Sequence, residues 1–114
     1  MEESNDNIKK TILVAEDVES NFLLLKALLG KTYNLLHAYN GSEAVEMFDN
    51  NQPDLILMDV KMPVMDGLEA TRIIRQKSTE IPIIALTAFA FDQDRIRVME
   101  AGCNDFLTKP LSPP

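Results

Sequence analysis

The strongest indication of the fold is the segment Leu55-Ile56-Leu57-Met58-Asp59, with the turn that follows it, Val60-Lys61-Met62-Pro63-Val64-Met65-Asp66-Gly67. Four consecutive apolar residues are too few for the core of a helix. They are typical of a strand that is buried on both faces of a parallel sheet. This strand ends in a carboxylate directly before a turn that contains proline and glycine. Because ligands of open α/β sheets bind just beyond the carboxyl ends of the strands, Asp59 is the first candidate for chemistry.

Outward from this strand, the chain alternates between strand and helix patterns that are joined by short connections. We predict strands at residues 11–15, 33–38, 55–59, 81–87 and 104–108, and helices at residues 22–29, from 41, from 67 and at 92–101. Such alternation indicates an α/β fold, namely a doubly wound, five-stranded parallel sheet in the flavodoxin-like order 2-1-3-4-5. This order makes the first and third strands neighbours, so that Glu16, Asp17 and Asp59 meet at one edge of the sheet.

Local signals mark the ends of the helices. Asn40 and Asp66 are the predicted N-caps of the second and third helices, each with a glutamate three residues later. Gly30 is expected to end the first helix as a C′ glycine, and Gly102 to close the fourth. The first helix is rich in leucine, and we expect it to be largely buried.

Composition limits the class of protein. The 114 residues, 46% hydrophobic and 25% charged, are typical of one globular domain, in which residues 1–10 are a polar lead-in and residues 11–114 the folded part. A net charge of −7 argues against nucleic-acid binding by this domain. The single cysteine, Cys103, cannot form an internal disulfide, and no apolar run approaches the roughly 18 residues that span a membrane. We therefore expect a cytoplasmic segment without membrane contact.

The residues at the carboxyl ends of the central strands form a chemically coherent set: Glu16, Asp17, Asp59, Thr87 and Lys109. Two carboxylates about 4 Å apart repel each other by roughly 4 kcal/mol at an effective dielectric constant near 20, so three of them require compensating cations. Lys109 supplies one positive charge, and Mg²⁺ is the natural candidate for the remainder. With that ion, Asp59 could attack phosphorus as a nucleophile while Thr87 offers a hydroxyl to the transferred oxygens.

Five segments together resemble the receiver domain of two-component response regulators, over about residues 9–111. They are Ile12-Leu13-Val14-Ala15-Glu16-Asp17, Leu57-Met58-Asp59-Val60-Lys61-Met62-Pro63, Met65-Asp66-Gly67, Ala85-Leu86-Thr87-Ala88 and Phe106-Leu107-Thr108-Lys109-Pro110. Each segment alone would be a weak signal. Their order and their positions at strand ends make the resemblance highly specific.

The resemblance implies a phosphoacceptor role for Asp59, with a histidine kinase or histidine phosphotransfer domain as the donor. It implies that Mg²⁺ is bound by Glu16, Asp17, Asp59 and the backbone carbonyl of Lys61. Backbone amides of Lys61 and Ala88 would then hold the phosphoryl oxygens. The only catalysis expected of the isolated domain is its own phosphorylation and autodephosphorylation, so it is not an enzyme in the usual sense.

A conformational switch is also implied by the resemblance. Thr87 and Phe106 would move inward together on phosphorylation, and Lys109 would form the central ion pair, with a cis peptide bond to Pro110. Two residues depart from the commoner family pattern, because Glu16 replaces an aspartate and Phe106 a tyrosine. The first change could alter metal geometry, and the second removes a phenolic hydroxyl.

The resemblance also bears on the longer protein and on assembly. Receivers with similar motifs are frequent in hybrid histidine kinases, so we expect a part of such a kinase rather than a free-standing regulator. Family members continue after the fifth strand into a fifth helix, whereas here only residues 111–114 follow Pro110. We therefore expect an uncovered apolar face beside the first helix, through which the chain could self-associate.

Two other functions fit the fold less well. A phosphatase of the haloacid-dehalogenase kind places two aspartates one residue apart after the first strand, whereas Glu16 and Asp17 are adjacent. A flavin or nucleotide carrier would need a phosphate-binding loop there, and the acidic residues would repel phosphate. The lone His37 lacks a second histidine or thiol partner, and we expect it to be structural or exposed.

Overall fold

The computed structural model of the protein describes residues 9–88 and 92–109, which form five strands and four helices. The strands are β1 (Thr11–Ala15), β2 (Asn34–Ala38), β3 (Leu55–Asp59), β4 (Ile83–Thr87) and β5 (Asp105–Thr108). The helices are α1 (Glu19–Leu29), α2 (Gly41–Asn51), α3 (Gly67–Lys77) and α4 (Asp92–Ala101). The predicted alternation is confirmed. The largest difference is at α1, which begins three residues before the predicted position.

The five strands form one parallel sheet in the order β2-β1-β3-β4-β5, as predicted. The central strand β3 lies between β1 and β4, with Ala15 opposite Met58 and Asp59 opposite Leu86. Because all strands run in the same direction, their carboxyl ends meet at one edge. The polar residues that follow these ends are therefore brought together by the topology.

The two faces of the sheet are covered unequally. On one face, apolar residues of α2, α3 and α4 pack against the strands, and Ala44, Leu68, Ile74 and Val98 belong to this core. On the other face, the buried core includes residues of one described helix only, Phe22 and Leu25 of α1. This second face includes a groove of about 640 Å³. It is lined mainly by apolar side chains, namely Ile12, Leu25, Leu28, Leu29, Tyr33, Leu55, Leu57 and Leu107.

The prediction that α1 is largely buried is wrong. Only Phe22 and Leu25 of α1 are buried, while Leu23 is 51% and Leu28 36% exposed. The reason is geometric, since a helix on the surface of a sheet buries one side only. The leucines outside that stripe face solvent or the groove.

The predicted caps of α2 and α3 are confirmed. Asn40 Oδ1 accepts a hydrogen bond from the Glu43 amide at 2.8 Å, and Asp66 Oδ1 accepts one from the Glu69 amide at 2.8 Å. Gly102 follows the last residue of α4, as predicted, and has a positive φ of 114°. Gly30 differs, because it keeps a right-handed helical conformation and donates its amide to the Lys26 carbonyl.

Several predictions lie outside the described residues. These include the polar lead-in over residues 1–8, the cis bond to Pro110 and the course of residues 111–114. Among the described residues, none of the helices has the length and apolar composition that crossing a membrane requires.

Candidate functional site

Three carboxylates converge at the carboxyl edge of the sheet. Glu16 and Asp17 follow β1, and Asp59 is the last residue of the neighbouring strand β3. One oxygen from each carboxylate can be chosen so that all three atoms lie within 4.8 Å of one another. Glu16 is fully buried and Asp59 is 4% exposed, whereas Asp17 is only half-buried. The sequence-based prediction that these three side chains meet is therefore confirmed.

Lys109 lies between the two buried carboxylates. Its Nζ is 3.0 Å from Asp59 Oδ2, to which it donates a hydrogen bond, and 2.9 Å from Glu16 Oε1. The position of this ammonium follows from the strands, because Lys109 comes directly after β5 and its amide donates to the Thr87 carbonyl at 2.7 Å. A single positive charge thus bridges two acids that are far apart in the sequence.

The charges of Glu16, Asp59 and Lys109 shift one another's pKa values. Burial raises the pKa of Asp59 to about 6, since the Lys109 hydrogen bond only partly opposes burial and the Glu16 charge adds to the rise. Burial also acts to raise the pKa of Glu16, but the Lys109 ammonium and the Val18 amide outweigh it, so the net pKa is lowered. Burial acts to lower the pKa of Lys109, but Glu16 and Asp59 raise it more strongly. Asp59 is therefore the acid whose charge is least well compensated.

The turn after β3 packs directly under Asp59. Gly67 donates its amide to the Val60 carbonyl at 2.9 Å, and a Cβ atom on Gly67 would lie 2.0 Å from the Asp59 carbonyl oxygen. No side chain fits there, so the glycine permits the close approach of α3 to the end of β3. The turn closes one side of a cleft of about 820 Å³, whose lining includes Asp59, Lys61 and Ala88.

The predicted switch residues lie on adjacent strands. Thr87 is 6% exposed at the end of β4, where it also lines the cleft. Phe106 of β5 lies opposite Ala85 and is half-buried, and the Arg95 guanidinium of α4 lies over its ring, 5.1 Å from the centroid. The Phe106 ring thus lies between the core and the surface, in contact with both. No sequence pattern indicated that Arg95 contacts Phe106.

The sequence also gave no sign of the contacts of His37. Its ring stacks on Phe22 with centroids 3.8 Å apart and an interplanar angle of 7°, and Tyr39 lies 4.0 Å away on a tilt of 32°. The His37 Nε2 atom is 2.8 Å from the backbone carbonyl oxygen of Glu16. The prediction that His37 is structural or exposed therefore missed a direct contact with the acidic edge.

The residues present fit a hard divalent cation. The donor set is three carboxylates, which are the oxygen ligands that Mg²⁺ prefers. Glu16 Oε1 is buried, and its contact with Lys109 is an ion pair without the alignment of a hydrogen bond. Three carboxylates with one ammonium between two of them leave a surplus of negative charge, which a divalent cation would compensate. The Lys61 carbonyl, the fourth predicted ligand, belongs to a residue of the same cleft.

A doubly wound sheet with three acids, a lysine and a threonine at its carboxyl edge defines the phosphoacceptor domains of two-component signalling. The sequence model of the response regulator receiver domain family matches residues 12–114. The chain therefore belongs to this family.

Several characterised relatives resemble the chain over most of its length. The polar-differentiation response regulator DivK of Brucella anthropi is 37% identical over 108 residues, which cover 92% of this chain and 88% of that protein. The receiver domain of the sensor histidine kinase PA1611 from Pseudomonas aeruginosa has a magnesium ion coordinated in its active site cleft. It is 39% identical, with a TM-score of 0.84 over 92% of this chain and 88% of that chain.

A third relative was solved together with another signalling protein. It is the receiver domain of the Saccharomyces cerevisiae response regulator Ssk1, in a co-crystal with the histidine phosphotransfer protein Ypd1. The match is 33% identical, with a TM-score of 0.86 over 91% of this chain and 81% of that chain. The fold and the family predicted from the sequence are thus both confirmed.

Proposed function

We propose that this domain accepts a phosphoryl group on Asp59 from a phosphohistidine of a kinase or phosphotransfer partner. The observation that carries the proposal is the bridging of Asp59 and Glu16 by the Lys109 ammonium, at the mouth of the cleft. A buried nucleophilic carboxylate beside a fixed cation is suited to a reaction in which negative charge gathers on transferred oxygens.

The chemistry of the step is a displacement at phosphorus. An oxygen of the Asp59 carboxylate forms the new O–P bond while the N–P bond of the phosphohistidine breaks, and the leaving imidazole takes a proton from solvent. Lys109 and the amides of Lys61 and Ala88 would stabilise the charge on the phosphoryl oxygens. Mg²⁺, held by Glu16, Asp17, Asp59 and the Lys61 carbonyl, would supply the positive charge that lets the anionic donor approach the carboxylates.

The relatives support the kind of partner. One relative is the receiver of a sensor histidine kinase, and another crystallised with a histidine phosphotransfer protein. We propose the same partner class here, in a hybrid kinase or phosphorelay. The isolated domain would turn over no other substrate, and its buried free thiol, Cys103, suits the reducing cytoplasm where we expect this reaction.

Phosphorylation of Asp59 is tested by intact-mass spectrometry after incubation with acetyl phosphate and Mg²⁺. The parent should gain one phosphoryl group, and Asp59→Asn should gain none because it lacks the nucleophile. Excess chelator should suppress the gain in the parent.

Asp66→Asn is the matched control. Asp66 also lines the cleft but caps α3, a role that asparagine fills equally well, so this variant should label as the parent does. Labelling of Asp59→Asn at the parental rate would refute the assignment. Labelling that persists undiminished in chelator would refute the role of the metal.

A further inference from the structure

His37 lies outside the set of strand-end acids, yet it contacts their backbone. It is on β2, opposite Val14 of β1, and its side chain reaches past the end of β1 to the Glu16 carbonyl oxygen, 2.8 Å from Nε2. A carbonyl oxygen can only accept a hydrogen bond, so Nε2 must carry the hydrogen. The contact therefore selects one orientation and one tautomer of the ring, or its cation.

The ring is held on both sides. Phe22 of α1 stacks on it at 3.8 Å, and Tyr39 lies at 4.0 Å, so the two rings must occupy opposite faces of the imidazole. The backbone of Tyr39 is held by its amide, which donates to Glu43 Oε1 at 2.8 Å in the cap of α2, while the residue is 45% exposed. The stacking on Phe22 of α1 and the place of His37 on β2 therefore set the direction in which Nε2 donates.

The acceptor of the His37 hydrogen bond is the backbone carbonyl that directly precedes Asp17. The Glu16 carbonyl and the Asp17 amide belong to one planar peptide unit, so a hydrogen bond to this oxygen fixes the orientation of the plane. The next Cα atom, which bears the half-buried Asp17 side chain, is placed by that plane. Glu16 is held at its other end as well, since its amide donates to the Ala38 carbonyl at 2.9 Å and its Oε2 accepts from the Val18 amide at 3.1 Å.

We propose that His37 is a positioning residue for the divalent-ion site, acting through the Glu16–Asp17 peptide. Its hydrogen bond presents the Asp17 carboxylate towards those of Glu16 and Asp59 before the ion arrives. Preorganisation of this kind lowers the cost of binding, and partners of metal ligands commonly contribute about tenfold or more to affinity. The inference rests on the proposed binding of Mg²⁺ at these acids.

Two substitutions separate the hydrogen bond from the stacking. His37→Phe keeps a ring between Phe22 and Tyr39 but removes the donor, whereas His37→Gln loses the ring and keeps an amide donor near the position of Nε2. Tyr39→Leu is the matched packing control, because it removes a ring contact and leaves the donor in place. His37→Leu repeats the loss of the donor with a smaller side chain, in case phenylalanine prevents folding.

Each protein is titrated with MgCl₂ by isothermal calorimetry, and its free energy of unfolding is measured in urea with chelator. His37→Phe should bind Mg²⁺ roughly tenfold more weakly than the parent, and His37→Gln and Tyr39→Leu should stay within about threefold. Loss of affinity in Tyr39→Leu equal to that in His37→Phe would overturn the proposal, because packing alone would then explain both.

A second measurement needs no metal. The ¹⁵N resonance of the Asp17 amide reports the hydrogen bond to the preceding carbonyl, so it should move in His37→Phe and return towards the parental position in His37→Gln. An unchanged resonance in His37→Phe, or unchanged Mg²⁺ affinity in that variant, would overturn the role of His37 alone. A parent that binds no Mg²⁺ would overturn the proposed metal site, and this role with it.

Discussion

Glu16 and Asp59 are both buried beside Lys109, but their surroundings shift their pKa values in opposite directions. Glu16 contacts the Lys109 ammonium and also accepts a hydrogen bond from the Val18 amide, and its pKa is lowered. Burial disfavours the charged form of Asp59 more strongly than the Lys109 hydrogen bond favours it. The charge of Glu16 adds to the effect of burial, so the pKa of Asp59 is raised to about 6. The proposed nucleophile is thus the one of these two carboxyl groups whose charged form is disfavoured in the folded protein.

Asp59→Asn should therefore stabilise the metal-free protein at pH 7.5, by on the order of 2 kcal/mol, because it removes a charge that folding disfavours. The folded-state pKa is raised above the usual value of 3.8, so the cost is absent at low pH and grows as pH rises through about 4 to 6. The gain should consequently shrink towards zero near pH 4. Urea unfolding in chelator at both pH values measures it.

Glu46→Gln is the control for net charge, since Glu46 is exposed on α2. It should change the free energy of unfolding by only a few tenths of a kcal/mol. If the Asp59→Asn variant is no more stable than the parent at pH 7.5, the charge of Asp59 does not destabilise the folded protein and the prediction is wrong.

Among the described elements, α4 and β5 form a face with few buried residues. Only Val98 and Ala101 of α4 are buried, and β5 is an edge strand with no fully buried residue. Arg95 of α4 and Phe106 of β5 meet through a cation–π contact at the surface. Thr87 connects this face to the cleft, because it ends β4 beside β5 and lines the site.

Phosphorylation should draw Thr87 towards the phosphoryl oxygens and let Phe106 move into the space that is vacated, as a shift between two packings. Beryllofluoride with Mg²⁺, a mimic of the phosphoryl group, should then move the amide resonances of α4 and β5 in an NMR spectrum. Shifts confined to the residues around Asp59 would refute the switch.

Arg95→Met should favour the inward position of Phe106, because the cation–π contact holds the ring at the surface. At an exposed site such a contact is worth about 0.5–1 kcal/mol, which corresponds to roughly two- to fivefold in population. In Arg95→Met without beryllofluoride, the amide resonances of α4 and β5 should therefore lie part of the way towards the positions that the parent shows with beryllofluoride. Arg72→Met, which removes an exposed charge from α3, should leave them unchanged.

The two faces of the sheet are covered unequally by the described helices. One face is packed against three described helices and the other against α1, beside a groove of about 640 Å³. The groove has Lys10 and Asp54 among its lining residues, but leucines dominate it. Exposed apolar surface of this kind favours association in water.

The 114-residue chain should accordingly self-associate as its concentration rises, in a series measured by multi-angle light scattering. Leu28→Asp, which places a charge in the groove, should weaken association more than tenfold, since burying a leucine contributes about 1.5–3 kcal/mol. Leu23→Asp is the matched control, because Leu23 lies on the same helix, is 51% exposed and is not part of the groove lining. A protein that stays monomeric throughout would contradict this prediction.

The five strands, their order and the residues at their ends could all be predicted from the amino-acid sequence. Apolar runs and the capping signals at Asn40 and Asp66 are local features, and a βα alternation of this length leaves few topologies. Since parallel strands end at one edge, the order alone brought Glu16, Asp17 and Asp59 together. The family motifs then identified Asp59 as the phosphoacceptor candidate.

The ion pairs and packing contacts of these residues could not be predicted in this way, because they depend on the three-dimensional arrangement of distant segments. Lys109 reaches Asp59 across 50 residues of sequence, and whether it also contacts Glu16 depends on the twist and register of three strands. The stacking of His37 on Phe22 depends on where α1 crosses the sheet, which no periodicity in α1 encodes. The exposure of Leu28 likewise depends on what packs beside α1, because burial is a property of neighbouring elements and not of the segment itself.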